Sequence, residues 1–285
     1  LPYAGNVVNL VVASDLKGVP IAEVMRVLAP RGVALVRRGG EWAKSAKPMP
    51  EGVDDWTHYL HDSSGNPVAD DLGVGPPRRV QWVDEPRTTR GHEFTPTIAA
   101  LVSCGGRIFY LQDEATTASV LQPARWQLVA RDAYSGVLLW KQPVSEWWPA
   151  LAIWTGGPRQ LQRRFVGVGD RVYVTLGIHA PLVALDAATG SLVKSYEQTT
   201  GTEEIVCHQG VLLLTTRTVT PERTSELATW ARLSRERESP LFVRETAEPL
   251  LKQLRRGETA GGLSLLALDA HSGEVLWQST GTEAA

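Results

Sequence analysis

The chain has 285 residues, with 29 Lys and Arg against 31 Asp and Glu for a formal net charge of −2. That balance gives no electrostatic footprint for nucleic acid or for an anionic membrane surface. Hydrophobic residues make up 43% and charged residues 21%, enough apolar surface for real cores, while no apolar run reaches the ~18 residues of a membrane span.

Residues 1–40 differ in kind from the rest. Leu1–Ala13 ends in an apolar strand. Pro20–Pro30 has helical spacing, with Ile21, Val24, Met25 and Leu28 on one face. Pro30 stops that helix, Gly32 makes a turn and Val33–Val36 starts a second strand, a β-α-β unit. Residues 41–96 hold a linker and the stretches D-D-W-T-H-Y-L-H-D-S-S-G-N-P (Asp54–Pro67) and G-P-P-R-R-V-Q-W (Gly75–Trp82), which resemble the entry segment of a β-propeller.

Residues 97–285 carry a motif three times: Leu128–Trp140, Leu182–Lys194 and Leu265–Trp277. Each copy is an apolar run ending in Asp, a turn closed by Gly, and a second apolar run. Asp132, Asp186 and Asp269 are placed to accept from the turn amides, and Gly136, Gly190 and Gly273 supply the positive φ. A further hairpin lies upstream of each copy, at Ile98–Leu111, Arg164–Leu176 and Glu204–Thr216. Four strands recurring in series predict antiparallel propeller blades, at about 97–144, 164–198 and 204–280. Within the third, the interval Gly210–Asp269 far exceeds the matching Asp170–Asp186. The surplus, 219–261, is charged and reads as a helical insertion, with Thr220-Pro221 and Ser239-Pro240 as helix starts. Cys104 and Cys207 read as buried thiols at equivalent positions of first strands, with one disulfide left open as the alternative.

The A-x-D-x-x-[TS]-G-x-x-x-W pattern resembles the repeat of the pyrroloquinoline-quinone (PQQ) propeller superfamily, which holds both quinoprotein alcohol dehydrogenases and non-catalytic outer-membrane assembly lipoproteins. The resemblance implies a mainly β fold, a partial propeller of three blades. It assigns Trp140 and Trp277 to packing between neighbouring blades. Lys194 stands where Trp is expected, which predicts a weaker contact beside the middle blade. Three blades do not close a ring, so the expectation is a section of a longer protein. The N-terminal L-P-Y-A-G-N-V-V-N-L-V and E-V-M-R-V-L-A-P-R-G resemble the late part of a class I S-adenosylmethionine (SAM) methyltransferase domain, with P-R-G for P-G-G and Gly5 for the usual Asp.

Chemistry is sparse. His58 and His61 are three apart, a spacing that on a helix brings two imidazoles to one metal, but the Glu and further ligand of a zinc motif are missing. Together with Asp62, His92, Glu93, Asp113 and Glu114 they are the candidates for lining a propeller mouth; for His58, His61 and Asp62 the resemblance to propeller entry segments implies instead a structural role, packing around a turn. The resemblance to quinoproteins asks for a Ca²⁺ ligand set, an Asp base and commonly a vicinal Cys pair; Cys104 and Cys207 are far apart in sequence, and neither metal ligands nor a catalytic residue can be assigned. The Gly-rich loop and ribose-gripping acid of a SAM site are also missing. The chain is therefore expected to hold no cofactor itself, with PQQ or SAM belonging to a full-length parent. The expected role is a binding or scaffolding module for a protein or small molecule on a propeller face, with part of a quinoprotein oxidoreductase and a parent methyltransferase as alternatives. An exported or periplasmic compartment is the mildly favoured placing.

Overall fold

The computed structural model describes residues 1–73, 75, 80–84, 98–115, 125–145, 162–177, 180–217 and 262–280. The expected helical insertion (219–261), His92 and Glu93 lie outside the described residues.

At the N-terminus β1 (Val8–Ala13), α1 (Ile21–Val27), β2 (Leu28–Arg38) and β3 (Glu41–Ala46) form a three-stranded sheet in the order β1-β2-β3. The β1–β2 pair is parallel and the β2–β3 pair antiparallel. The helix ends at Val27, three residues before the expected stop at Pro30. Proline has no N–H to continue the ladder and disfavours helical geometry in the residue before it. The carbonyls of Arg26 and Val27 accept instead from Asn6 and Val7. Val24 and Leu28 are buried as expected, but Ile21 is exposed. Register along β1–β2 slips between Val8 and Leu10, and the slack is taken up around Arg31, at φ 66°, and Gly32. A β-carbon on Gly32 would lie 2.7 Å from the Ala29 carbonyl oxygen, so only glycine fits there.

Three four-stranded antiparallel sheets follow, each with its strands in chain order. The first holds β4 (Ile98–Cys104), β5 (Arg107–Asp113), β6 (Trp126–Asp132) and β7 (Leu138–Pro143). The second holds β8 (Phe165–Val168), β9 (Arg171–Thr175), β10 (Leu182–Asp186) and β11 (Leu192–Tyr196). The third holds β12 (Thr202–His208), β13 (Val211–Arg217), β14 (Leu263–Asp269) and β15 (Val275–Thr280). The first strands β4, β8 and β12 are spatial neighbours in that order. They are called inner strands below.

Consecutive sheets stack and share their cores. Phe109, Leu111, Leu128 and Trp140 of the first sheet pack with Phe165, Val172, Val174 and Leu185 of the second. Val166, Tyr173, Leu182 and Tyr196 of the second pack in turn with Ile205, Leu212, Leu214 and Leu268 of the third. Central strands β5, β6, β9 and β10 are covered on both faces, which is why they read as continuous apolar runs and not as alternating ones. Each fully buried Phe or Leu contributes about 1.5–3 kcal/mol.

The repeated turn is built identically three times. The Asp132 carboxylate accepts from the amides of Tyr134 and Ser135 and from the Ser135 hydroxyl. Asp186 does so with Ala188 and Thr189, and Asp269 with His271 and Ser272. Gly136, Gly190 and Gly273 close the turns at φ 74°, 72° and 73°. Beyond each turn the register slips by one residue, between Ala130 and Arg131, Ala184 and Leu185, and Ala267 and Leu268. This bulge on the fourth strand re-aims the side chain that follows it, at Trp140, Lys194 and Trp277.

Register also corrects the equivalence of the two cysteines. The last pairs of the first hairpins are Cys104↔Arg107, Val168↔Arg171 and His208↔Val211. Cys104 therefore matches His208, and Cys207 matches Ser103 and Gly167. A one-residue offset puts the two thiols on opposite faces of their sheets. Both are buried and free.

Candidate functional site

The segment Asp54–Ser63 does not form a helix. It runs as an irregular strap across the inner strands, folded back by an antiparallel bridge between His58 and His61, with His61 at φ 70°. Each inner strand is the edge of its sheet and would leave amides unpaired. The strap takes one such amide from each sheet in order. Ser103 donates to the Trp56 carbonyl at 2.7 Å, Gly167 to the Thr57 carbonyl at 2.9 Å, and Cys207 to His58 Nε2 at 3.0 Å. Three consecutive strap residues thus serve three equivalent positions of three consecutive sheets. Both Asp55 carboxylate oxygens accept from the Gly105 amide, and Ser63 Oγ meets His208 Nδ1 at 2.9 Å, so both ends are pinned.

The candidate side chains are engaged within this frame. His61 Nε2 lies 2.6 Å from Asp54 Oδ2, and its ring stacks edge-on against Trp56. The Asp54 carboxyl is held below its ordinary range by the Asp70 amide first and by His61 after it. Asp62 accepts from the hydroxyl and the amide of Ser64, which lower its pKa. His58 is pushed down to about 4, chiefly because burial disfavours the imidazolium. His58 and His61 use ring nitrogens on separate partners, and the pair does not converge on one point. Among the described residues no group of three His, Cys, Asp or Glu side chains is placed to hold a metal ion.

Asp113 and Glu114 sit at the far end of β5. Asp113 Oδ1 accepts from the amides of Ala115 and Arg125, and Glu114 pairs with Lys141. Burial pushes the Cys104 thiol up to about 12 and the Cys207 thiol up to about 11, so neither offers a thiolate near neutrality.

The seams join Trp140 and Lys194 of the repeat to residues that the repeat alone did not single out, Trp82, Tyr196, Gln142 and Gln198. Trp82 lies over Gly136 and donates Nε1–H to the Ala133 carbonyl. Trp140 lies over Gly190 and donates to the Ala187 carbonyl. At the next seam the Lys194 stem lies over Gly273, while the Tyr196 hydroxyl donates to the Ala270 carbonyl. The contact expected to be weak at Lys194 is therefore made, by two side chains in place of one. Gln142 and Gln198 add bonds to the Gly190 and Gly273 carbonyls. On the same turns of the first sheet rests the N-terminal unit, through Asn9 to Asp132 and Arg31 to the Gly105 carbonyl.

Neither a family model nor a curated protein matches the chain. Among solved structures it is similar to a europium-containing methanol dehydrogenase at 12% identity and a TM-score of 0.44, covering 80% of this chain and 32% of that one. A quinohemoprotein alcohol dehydrogenase from Comamonas testosteroni is similar at 14% identity and a TM-score of 0.37, covering 79% of this chain and 27% of that one. BamB from Moraxella catarrhalis is similar at 12% identity and a TM-score of 0.23, covering 64% of this chain and 61% of that one. The chain thus spans about a third or less of the two dehydrogenases. The three four-stranded antiparallel sheets, stacked in chain order, are consistent with propeller blades.

Proposed function

We propose that the chain is a three-blade section of a propeller of the PQQ-type repeat, working as a binding or scaffolding module for a protein or small molecule on a propeller face. One observation carries this reading. The polar groups on the strap and inner strands that a catalytic centre would draw on, His58, His61, Asp54, Asp55 and Asp62, are committed to holding the chain's own elements together. A side chain bound to a backbone amide or a turn is a strut, and it performs proton transfer only by giving up that bond. The domain limits that go with the reading are 1–40, 41–96 and 97–285. The resemblance to quinoproteins carries an exported or periplasmic placing with it. In the same reading the N-terminal unit is a methyltransferase-like remnant, supported by its parallel β1–β2 pair with α1 between.

The test is titration of the purified chain with PQQ and Ca²⁺, and separately with SAM. Tryptophan fluorescence and calorimetry would follow binding, with dye-linked oxidation of ethanol in parallel. No saturable binding and no turnover are expected. Saturable PQQ binding with turnover would move the chain to the quinoprotein oxidoreductases, and saturable SAM binding to the methyltransferases.

A further inference from the structure

The three bonds that fasten the strap to equivalent amides of the inner strands differ in one respect. Two end on backbone carbonyls, which stay acceptors at any pH. The third ends on an imidazole nitrogen, which is an acceptor only while it is unprotonated. We propose that His58 is an acid-sensitive latch: neutral, it fastens inner strand β12 of the third sheet to the strap at Cys207, and protonated it gives up that bond and loosens the strand there while the first two sheets stay fastened.

The hydrogen bonds around the ring assign its tautomer. The Cys207 amide can only donate, so Nε2 must accept and the ring proton sits on Nδ1. That proton points to Thr57 Oγ1 at 2.7 Å, and the Thr57 hydroxyl donates onward to the His61 carbonyl at 3.2 Å. Each donor in the chain has one acceptor. Protonating Nε2 would set an N–H against the Cys207 N–H, with both groups buried. Leaving a buried donor unpaired is what makes the closed form intolerant of the proton.

The surrounding charges do not cancel this. Asp62, on the strap itself, favours the imidazolium, while His61 on the strap and His208 on β12 oppose it; Cys207 meets the ring through its backbone amide. Asp54, the other nearby carboxylate, pairs with His61. Burial outweighs these charges, and the ring is pushed down to about 4 from an ordinary value of 6.5. The sign follows. A histidine that stays neutral in the closed form supports closure fully above pH ~6.5, and that support is lost as pH falls toward ~4. One proton taken up on opening raises the open population about tenfold for each unit of pH across that window.

The two buried thiols report on the two kinds of fastening. Cys207 sits at the latch on β12, and Cys104 lies beside Ser103, which is held by a carbonyl. Full-length chain would be labelled with 4,4′-dithiodipyridine across that pH window, each thiol read by peptide mass spectrometry against unfolded chain at the same pH. Cys207 labelling should rise about tenfold per unit of acidification while Cys104 stays closed. His58→Gln, whose amide oxygen accepts from Cys207 at every pH, should flatten the Cys207 profile. Uncovering of both thiols together, a Cys207 that stays closed down to pH ~4, or an acid response that survives His58→Gln would each overturn the latch. Should that variant not fold, the ¹⁵N shifts of the wild-type His58 ring at neutral pH decide the matter. An Nδ1–H tautomer supports the latch and an Nε2–H tautomer ends it.

Discussion

The seams on either side of the second sheet solve one packing problem with different chemistry. On one side a single rigid group, the Trp140 indole, covers Gly190 and bonds the Ala187 carbonyl. On the other the two tasks are divided: the Lys194 stem covers Gly273 and the Tyr196 hydroxyl bonds the Ala270 carbonyl. Residues 194 and 196 lie two apart on one strand and so share a face. The Lys194 ammonium lies 5.8 Å from the Tyr196 ring centroid, so the charge rests on the phenol face that its own stem flanks. What the seam requires is an apolar plate over the turn glycine and a donor for one carbonyl, and these need not come from the same side chain.

The largest separation of the two seams should come from truncation of the plates. Trp140 is buried among Phe109 and the second sheet. Trp140→Ala should cost about 4 kcal/mol through the cavity it leaves. Lys194→Ala removes only a flexible stem at the surface and should cost under ~1 kcal/mol. Denaturant midpoints of the two variants, measured side by side, decide it. Equal losses would mean that the lysine seam is as tightly packed as the indole one.

Filling the turn glycines sharpens the same contrast. Both sit at positive φ, so any side chain is strained at either by roughly 1–2 kcal/mol. At Gly190 the new carbon would also lie 2.6 Å from Trp140 Cδ2, in a fused ring that cannot bend away. At Gly273 it would lie 2.5 Å from Lys194 Cε, the far end of a stem that can swing out. Gly190→Ala should therefore lose about 3 kcal/mol and Gly273→Ala about 1–2, read from thermal or denaturant unfolding. The reverse order would show that Lys194 is the more rigid plate.

The donor is the next term down. Tyr196→Phe keeps the ring and removes the bond to the Ala270 carbonyl, for an expected loss of about 1 kcal/mol. A double-mutant cycle with Lys194→Ala should give a coupling under ~1 kcal/mol, because plate and donor act on different atoms of the turn.

These seams also mark what was legible in the residues. The triple Asp-x-x-Ser/Thr-Gly spacing is legible as three hairpins of four-stranded sheets, because its carboxylate, hydroxyl and glycine all act within one turn. At Lys194 the motif position alone shows only the loss of an indole. Tyr196, two residues on, carries the missing donor and lies on the same face. The strap was opaque for a different reason. Of the three bonds to equivalent strand amides, two end on backbone carbonyls, which any residue supplies, and only the one at His58 uses a side chain of the strap. The His58/His61 spacing would bring two imidazoles together only on a helix; here the positive φ of His61 turns the chain back and sends the rings to different partners. The cysteine offset was hidden too, since only the pairing of Cys104 with Arg107 and His208 with Val211 reveals a one-residue shift.

The smallest effect is expected where the motif is intact and the seat is empty. Trp277 follows the same Asp, Gly and bulge as Trp140, yet it is 48% exposed against 8%, and every residue of β15 is exposed. Among the described residues, the three turn glycines of the repeat are already covered, by Trp82, Trp140 and Lys194. A ring that lies over none of the described turn glycines and is half exposed contributes little to the fold of this chain, so Trp277→Ala should shift stability by under ~0.5 kcal/mol. Equilibrium unfolding of Trp277→Ala and Trp140→Ala in one series checks it. Near-equal losses would mean that Trp277 is seated in this chain as firmly as Trp140. A near-silent Trp277 beside a costly Trp140 would show that the motif alone confers no stability, and that the indole stabilises only when a glycine turn lies under it.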